Sequence, residues 1–579
     1  MAQPKPRTKA DKFAIAAALQ EIGTLLELKG GKDRFKARAY KAGARIIAGL
    51  SVDIGELVRN DGLTSIRGIG DALASQIKQL YLTGSSSVLN KLREDFPPGV
   101  IELSGVPGLS ISKIEKLHEA LGIKSIADLK KAAEEGQIRG IKGFGEKTEQ
   151  KLLETIATHR QRSESATRLH IHHAYRAAQE ILDYLKTARG INEVSVAGSL
   201  RRWKETVGEI RIVTSSNKPA SIIGQFLRYP LIVEVIDKSK TDCTVRLADG
   251  ARVSLLSVLP EQYSRAFLLA TGSDDHIERL RQISLTKGLE DLLQDADSRK
   301  IASETELYES LGMQYIPPEL RENKGEIEAA LKGKLPEDLV RLEDIQGMVH
   351  CHSTYSDGAH TIEQMARAAE AMGMKYLTIT DHSPTAFYAG GVDLDKLKRQ
   401  WDDIDAVQAT VNVKLLKGTE SDILANGSLD YPDSVLEKFD VIVASIHSRY
   451  KMDSEKMTKR IVTAMRQPVF KIWGHALGRL IQRRPPFECD IEQILDTIAE
   501  SRAAIEINGD PYRLDMEPRW VREARKRKIR FVISVDAHST GALNNVKYGV
   551  GIARRAWVRR GEVLNTLGTK SFVNAVRPV

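Results

Sequence analysis

The sequence predicts a multidomain chain, α+β through its first part and α/β in its last, ending in a βα-barrel. Three observations carry this. At 579 residues the chain is too long for one domain. Glycine-centred hairpins between helical segments recur three times before residue 152. From about residue 345, short apolar runs alternate with helical segments, and polar residues of the metal-binding kind stand at the ends of the runs.

In chain order, apolar residues recur at helical spacing over 14–28, and a second helix over 35–50 follows Gly30-Gly31. Residues 63–78 read as helix, Gly68-Ile69-Gly70 hairpin, helix. The pattern returns at Gly105-Val106-Pro107-Gly108 and at Gly143-Phe144-Gly145. Glycine lets the amides at the start of the following helix approach a phosphate closely, and such contacts carry no sequence information. Three copies, two of them with a nearby lysine, predict DNA-backbone binding through Gly68, Gly70, Gly105, Gly108, Gly143 and Gly145. The net charge of +9 leans the same way. Residues 194–197 and 210–214 read as strands. Residues 277–340 turn from helical to loop-rich and charged around Pro317-Pro318 and Pro336, which reads as a connector and sets a boundary near 335–342.

Hydrophobic content of 42% is that of a globular protein. Cys243, Cys351 and Cys489 lie far apart and suggest no disulfide framework, so a reducing, cytoplasmic setting is expected. No apolar run reaches membrane-spanning length, and the first residues lack a leader's apolar region. No membrane partner is expected, and a monomer is the default.

His350-Cys351-His352 places two imidazoles on one face of a strand, with Asp357 five residues beyond. His382, Glu420, His447, His475, Asp536 and His538 follow, most of them closing an apolar run such as 376–380, 441–444 or 531–535. Of the seven histidines after residue 340, only His360 lies outside these segments. Histidine, aspartate and glutamate without cysteine suit Zn²⁺, Mn²⁺ or Fe²⁺. Nine candidate ligands are too many for one ion, so two to three divalent ions are expected. Clustered ions suit phosphoester hydrolysis, one activating water while others neutralise phosphate oxygens. Arg449, Arg479 and Arg513 lie close by in sequence, and guanidinium suits phosphate, though rim arginines are also commonly just solvated. Asp381 reads either as an orienter of its neighbours or as a helix N-cap.

The hairpins look like helix-hairpin-helix elements, and with Phe35-Lys36-Ala37-Arg38-Ala39-Tyr40 they resemble the N-terminal half of a family X DNA polymerase. Val196-Ala197-Gly198-Ser199-Leu200-Arg201-Arg202, continuing to Gly208-Glu209-Ile210-Arg211, resembles that family's nucleotidyltransferase signature. Gly198-Ser199 and Arg201-Arg202 match its triphosphate-holding loop, and Thr271-Gly272-Ser273 resembles its fingers-to-thumb segment. The family's three catalytic aspartates are replaced here by Glu209, Arg211 and Ser254. One glutamate cannot hold two ions and Arg211 adds a fixed positive charge, so polymerase activity is expected to be absent while the fold persists. Arg201, Arg202 and Lys204 could still hold DNA or a nucleotide. Gln76 stands where members with lyase activity carry a Schiff-base lysine, and Lys78 faces another way, so lyase chemistry is not expected.

The barrel motifs resemble the PHP domain, a distorted (βα)7 barrel. That resemblance implies His350, His352, Glu420 and Asp536 as the catalytic set around a first ion, with Glu420 bridging to a second held by His447 and His475. It implies Asp357, His382 and His538 around a third. The whole chain resembles bacterial DNA polymerase/3′–5′ exonucleases of the PolX type with the polymerase metal site dismantled. The implied layout is a helical, lyase-like DNA-binding domain (1–95), a fingers-like helix-hairpin-helix domain (96–165), a nucleotidyltransferase-like palm (166–262), a thumb-like region and linker (263–340), and a PHP metallo-phosphoesterase domain (341–579). The implied activity is 3′–5′ exonuclease, extending to abasic-site cleavage or 3′-end processing in DNA repair. Mn²⁺ is the first choice of ion, and DNA 3′ ends, gaps or abasic sites are the partners. Three other readings stand beside it, one of them a polymerase working with unusual ligands, which primer extension with Mn²⁺ would reveal. A phosphatase on a small phosphorylated metabolite has no use for the hairpin repeats. A non-catalytic DNA-binding scaffold would not be expected to keep a full ligand set.

Overall fold

The computed structural model describes residues 168–578 except 248–249 and 294–300. Of the first 167 residues it describes 12–29, 33–49, 54–66, 68–95, 103, 109, 111–141, 143–145, 148–150 and 152–153. The chain divides into two compact units, Met1–Thr167 and Arg168–Val579. No helix among the described residues is long and apolar enough to cross a membrane.

In the first unit, helices Lys12–Lys29 and Arg34–Gly49 pack together around Leu19, Ile22, Leu25, Ala37 and Ile47. Helix Asp71–Thr83 adds Ile77 and Leu80 to the same core. A smaller core gathers Leu117, Leu129 and Phe144 around helices Ile111–Leu121 and Ile126–Glu134. Gly68 and Gly143 have φ of +96° and +100°, a left-handed backbone that favours glycine. A Cβ added at Gly70 or Gly145 would meet nothing within 4 Å, so at the first of these the start of helix Asp71–Thr83 is open to a close-lying group. Gly105 and Gly108 lie outside the described residues. Gln76 accepts from Ser86 Oγ at 2.8 Å, and Lys78 pairs with Asp61 at 2.7 Å on the surface.

The second unit opens with a five-stranded sheet, in order Ile191–Ala197, Ile210–Ser216, Arg252–Val258, Asp242–Leu247, Ile232–Lys238. Helices Ile171–Lys186 and Pro219–Phe226 cover it with Ile181, Leu185, Ile223 and Phe226. The register sets Arg211 opposite Ser254. Residues 301–339 depart from the connector expectation. Leu307, Tyr308, Ile316, Leu320 and Ile327 are buried in a core shared with helix Asp274–Thr286. Part of the segment's charge is internal: Arg321 is fully buried and donates to Glu304 at 2.6 Å, while Lys332 and Lys334 are exposed.

Seven parallel strands then form the barrel, in spatial as in chain order: Gly347–Met348, Tyr376–Ile379, Lys414–Asp422, Val441–Ser445, Lys471–Trp473, Ala503–Asn508 and Phe531–Ser534. The ring closes just beyond the first and last strands, where Cys351 bridges Ala537 and His352 N donates to Ala537 O at 2.8 Å. The strands are buried on both faces, which explains their continuous apolar runs. Every strand therefore delivers its C-terminal polar residues to one mouth.

Candidate metal centre

All nine metal-type residues singled out in the sequence meet at that mouth. His350, His352, Glu420 and Asp536 offer ligand atoms within 4.8 Å of one another, as do His352, Asp357, His382 and His538, and also His382, Glu420 and His447. Glu420 lies at the middle. Its Oε1 is 3.3 Å from His350 Nε2, 3.2 Å from His447 Nε2 and 2.9 Å from His475 Nε2; its Oε2 is 3.0 Å from His382 Nδ1. Asp536 Oδ1 lies 3.2 Å from His352 Nε2. Asp357 Oδ1 lies 3.2 Å from His538 Nε2 and 3.5 Å from His382 Nε2.

Apart from the bond between His475 Nε2 and Glu420 Oε1, most of this proximity is not hydrogen bonding. His350 Nε2, His352 Nε2, His382 Nδ1, Glu420 Oε2 and Asp536 Oδ1 are buried and have no hydrogen-bond partner among the described residues. Buried polar atoms are normally satisfied, so converging bare nitrogens and oxygens fit divalent cations. Two residues of the cluster, His475 and Asp536, have positive φ of 24° and 51°, strain of a kind that gathers at functional sites.

A second ring of side chains fixes the first. Glu506, fully buried, accepts from His350 Nδ1 at 2.7 Å and from Ser534 Oγ at 2.6 Å; its other oxygen accepts from Asn508 Nδ2 at 3.1 Å and from His475 N. Asp422 accepts from His447 Nδ1, and the Asp536 carbonyl from His538 Nδ1 at 2.8 Å. Each of these bonds places the proton on Nδ1 and leaves Nε2 facing the cluster. Asp381 is an orienter, accepting from Ser353 N, Ser353 Oγ and Ser356 Oγ at 2.7, 2.6 and 2.5 Å and thereby holding the loop that leads to Asp357. Glu506 and Asp422 escaped sequence reading. The available signal was a carboxylate at the end of a buried strand, in Asp422 two residues after Glu420 and so on its face.

Electrostatics follow from the crowding. Burial opposes charge throughout, yet Glu420, Glu506 and Asp536 overrule it at His350 and hold its pKa well above the ordinary value. Burial likewise works against His538, but Asp357 pushes it up to about 9. At His382 burial wins and holds it at about 3. Protons and cations thus compete for the same nitrogens.

The three arginines separate. Arg513 Nε lies 3.3 Å from Asp536 Oδ2, and its Nη1 is a buried donor without a hydrogen-bond partner among the described residues. Arg449 is exposed, two residues after His447. Arg479 departs from the substrate-facing expectation. Its guanidinium is taken up by Glu205 of the five-stranded domain at 3.0 Å, by Glu517 at 3.3 Å and by the carbonyls of Arg513 (2.9 Å) and Leu514. It joins the barrel to its neighbour.

In the five-stranded domain, Glu209 is neutralised within the chain, by Arg252 at 2.7 Å, Arg211 at 3.2 Å and Ser254 Oγ at 3.0 Å. The cations that could still hold DNA or a nucleotide are engaged within the chain. Arg201 forks Glu304 at 2.8 and 2.6 Å, while Arg202 and Lys204 hold Glu322 at 2.7 and 3.2 Å.

Comparison with known proteins agrees with this layout. Family models match as a PHP domain over residues 349–510, a helix-hairpin-helix domain over 11–86, a SAM-like helix-hairpin-helix tandem over 100–158 and a DNA polymerase beta thumb over 266–322. A probable phosphatase of Thermoanaerobacter sp. strain X514 is 29% identical over 231 residues, 38% of this chain and 89% of that protein. The DNA polymerase/3′–5′ exonuclease PolX of Bacillus subtilis is 36% identical over 565 residues, 96% of this chain and 97% of that protein. Similar to that protein from end to end, and carrying its barrel as a PHP domain, the chain belongs to the PolX family of DNA polymerase/3′–5′ exonucleases.

Proposed function

We propose that this protein is a DNA-binding, metal-dependent 3′–5′ exonuclease of DNA repair without polymerase activity. The observation that carries the proposal is the set of unpartnered nitrogens and oxygens converging around Glu420, joined in one chain to helix-hairpin-helix and thumb domains. The working division is a lyase-like helical domain, a fingers-like domain, a palm, a thumb and the PHP domain, with boundaries at 95, 165, 262 and 340.

His350, His352, Glu420 and Asp536 would hold one divalent ion. Glu420 would share a second with His447 and His475, and Asp357, His382 and His538 would hold a third. Mn²⁺ is the first choice, and Zn²⁺ or Fe²⁺ suits the same donors. When bound, such ions activate water and neutralise charge on the phosphate and the leaving oxygen. The chain's own residues do the rest. Glu506, Asp422 and Asp381 keep the imidazoles and the 353–357 loop in one orientation. Arg513 offers its bare Nη1 to a phosphate oxygen, where charge-assisted donation is strongest, and Arg449 stands at the rim. Gly68-Ile69-Gly70 and Gly143-Phe144-Gly145 hold the DNA backbone without reading its sequence and present a 3′ end to the barrel. The palm, with Glu209 tied to two arginines, holds neither paired Mg²⁺ nor a triphosphate and serves as a structural member.

A phosphatase for small metabolites is the reading to exclude. Single-stranded DNA should compete with p-nitrophenyl phosphate hydrolysis at the barrel, and absence of competition refutes a DNA substrate. Primer extension with Mn²⁺ should be absent; extension would return the palm to catalysis.

A further inference from the structure

A cleft of about 790 Å³ lies apart from the histidine cluster, bounded by the loop carrying Lys204, the segment carrying Lys324, and Arg522, Arg555 and Trp557 of the barrel domain. Each of its carboxylates has a cation partner, although Glu319 Oε2 is buried and without a hydrogen bond among the described residues. Glu205 is held by Arg479 at 3.0 Å, Glu322 by Arg202 at 2.7 Å and Glu319 by Arg554 at 2.7 Å. Glu517 and Glu523 pair with Arg519 at 3.2 Å and Lys526 at 2.7 Å.

The arginines facing them are not matched. Arg555 is half-buried with its Nε buried and bare, and its guanidinium makes no hydrogen bond or ion pair among the described residues; Glu205 and Glu322 reach it only as distant charges. Arg522 spends two nitrogens on the carbonyls of Lys324 (3.4 Å) and Arg555 (3.0 Å), and its Nε is buried and bare. Its guanidinium lies 5.5 Å from the centre of the Trp557 ring, whose own Nε1 is a third buried donor without a partner. A half-buried guanidinium without a direct counter-charge is costly, and buried donors are normally satisfied. Three such donors line one cleft and none is paired with the one bare carboxylate oxygen there, Glu319 Oε2, so an added anionic acceptor would satisfy groups the chain leaves open. Planar guanidinium forks match phosphate oxygens, and the volume is that of a small-molecule site.

We infer that this cleft binds the phosphate group of an organic phosphate ester of mononucleotide size, with Arg555 and Arg522 on its oxygens and Trp557 against its organic part. The site is separate from the cluster around Glu420 and does not depend on the exonuclease reading. The same phosphate chemistry could come from a free mononucleotide or from a DNA strand, so the test carries both.

Metal-loaded full-length protein and its Arg555→Met variant would each be titrated calorimetrically with dAMP, inorganic phosphate and a 12-nucleotide single strand, and their melting midpoints measured. Anion bound at the histidine cluster, or DNA on the hairpins, does not depend on Arg555 and is common to both proteins. The expected result is saturable dAMP binding weakened about tenfold or more by Arg555→Met, the scale of a lost charge-assisted bond. The ligand-free midpoint should be unchanged or higher, because methionine removes an unpaired, half-buried charge. Arg555-dependent binding of the oligonucleotide alone assigns the phosphate to DNA. No Arg555-dependent binding of any probe overturns the inference. So does a fall in midpoint with binding intact, which makes Arg555 a structural residue. Arg522→Met repeats the test should Arg555→Met fail to fold.

Discussion

Replacing Glu506 by glutamine separates positioning from ligation, because Glu506 touches the cluster only through other residues. Its two oxygens receive four donors, from His350, Ser534, Asn508 and the His475 amide, with no exposure to solvent. Glutamine keeps the shape but offers one acceptor oxygen and turns an NH₂ toward the remaining donors. Two donors then lose their acceptor, at about 1–3 kcal/mol each, and Ser534 can recover part of this by rotating its hydroxyl. His350 loses the bond that fixes its tautomer, and loss of such an outer partner lowers metal affinity by about 10–100-fold. The assay is competition for Mn²⁺ or Zn²⁺ against a chromophoric chelator, with a melt run in parallel. Glu506→Gln should melt earlier and hold metal more weakly at unchanged stoichiometry. Wild-type metal affinity in a folded Glu506→Gln protein would refute the reasoning.

Other expectations are as direct. Arg479→Ala should lower stability by up to about 3 kcal/mol, the lower end for breaking buried pairs, since Glu205 and Glu517 keep some solvent; Arg513→Gln should melt near wild type but lose hydrolytic activity, and the reverse pattern would exchange their roles. At Glu304, burial favours the neutral acid, but Arg201 and Arg321 hold the pKa at about 2 against an ordinary 4.5. That depressed pKa contributes stability fully present above pH 4.5 and lost as pH falls toward 2, so Glu304→Gln should flatten the acid limb of a stability–pH curve. Gly68→Ala should destabilise the first unit by about 1–2 kcal/mol through its positive φ. Gly70→Ala, with open space around its Cβ, should leave the melt alone and weaken DNA binding in a gel-shift titration.

Much of the barrel was legible because its strands are buried on both faces. The apolar runs 376–380, 441–444 and 531–535 fall on strands Tyr376–Ile379, Val441–Ser445 and Phe531–Ser534. The cluster was legible for a related reason, since one-sided polar residues at strand ends must share a mouth. Sequence could not tell a carboxylate that faces open lone pairs from one that faces an imidazole's far nitrogen, so Glu506 and Asp422 stayed hidden. Nor could adjacency to His475 tell where Arg479 points, because its partner Glu205 is 274 residues away. Residues 301–339 misled because prolines and exposed lysines read as a linker, while Leu307, Tyr308, Ile316, Leu320 and Ile327 between them close a core. Nor does the retained motif reveal that Arg201, Arg202 and Lys204 are bound to Glu304 and Glu322.

The central claim is that the cluster around Glu420 hydrolyses DNA from the 3′ end and that the palm takes no part. One measurement tests both halves: degradation of labelled 3′-recessed and single-stranded oligonucleotides with Mn²⁺ by wild type, His350→Ala/His352→Ala and Arg211→Asp. The account predicts stepwise loss of 3′ nucleotides, abolished in the double histidine variant and unchanged by Arg211→Asp. No degradation by metal-loaded wild type, or degradation that survives loss of both histidines, would contradict it.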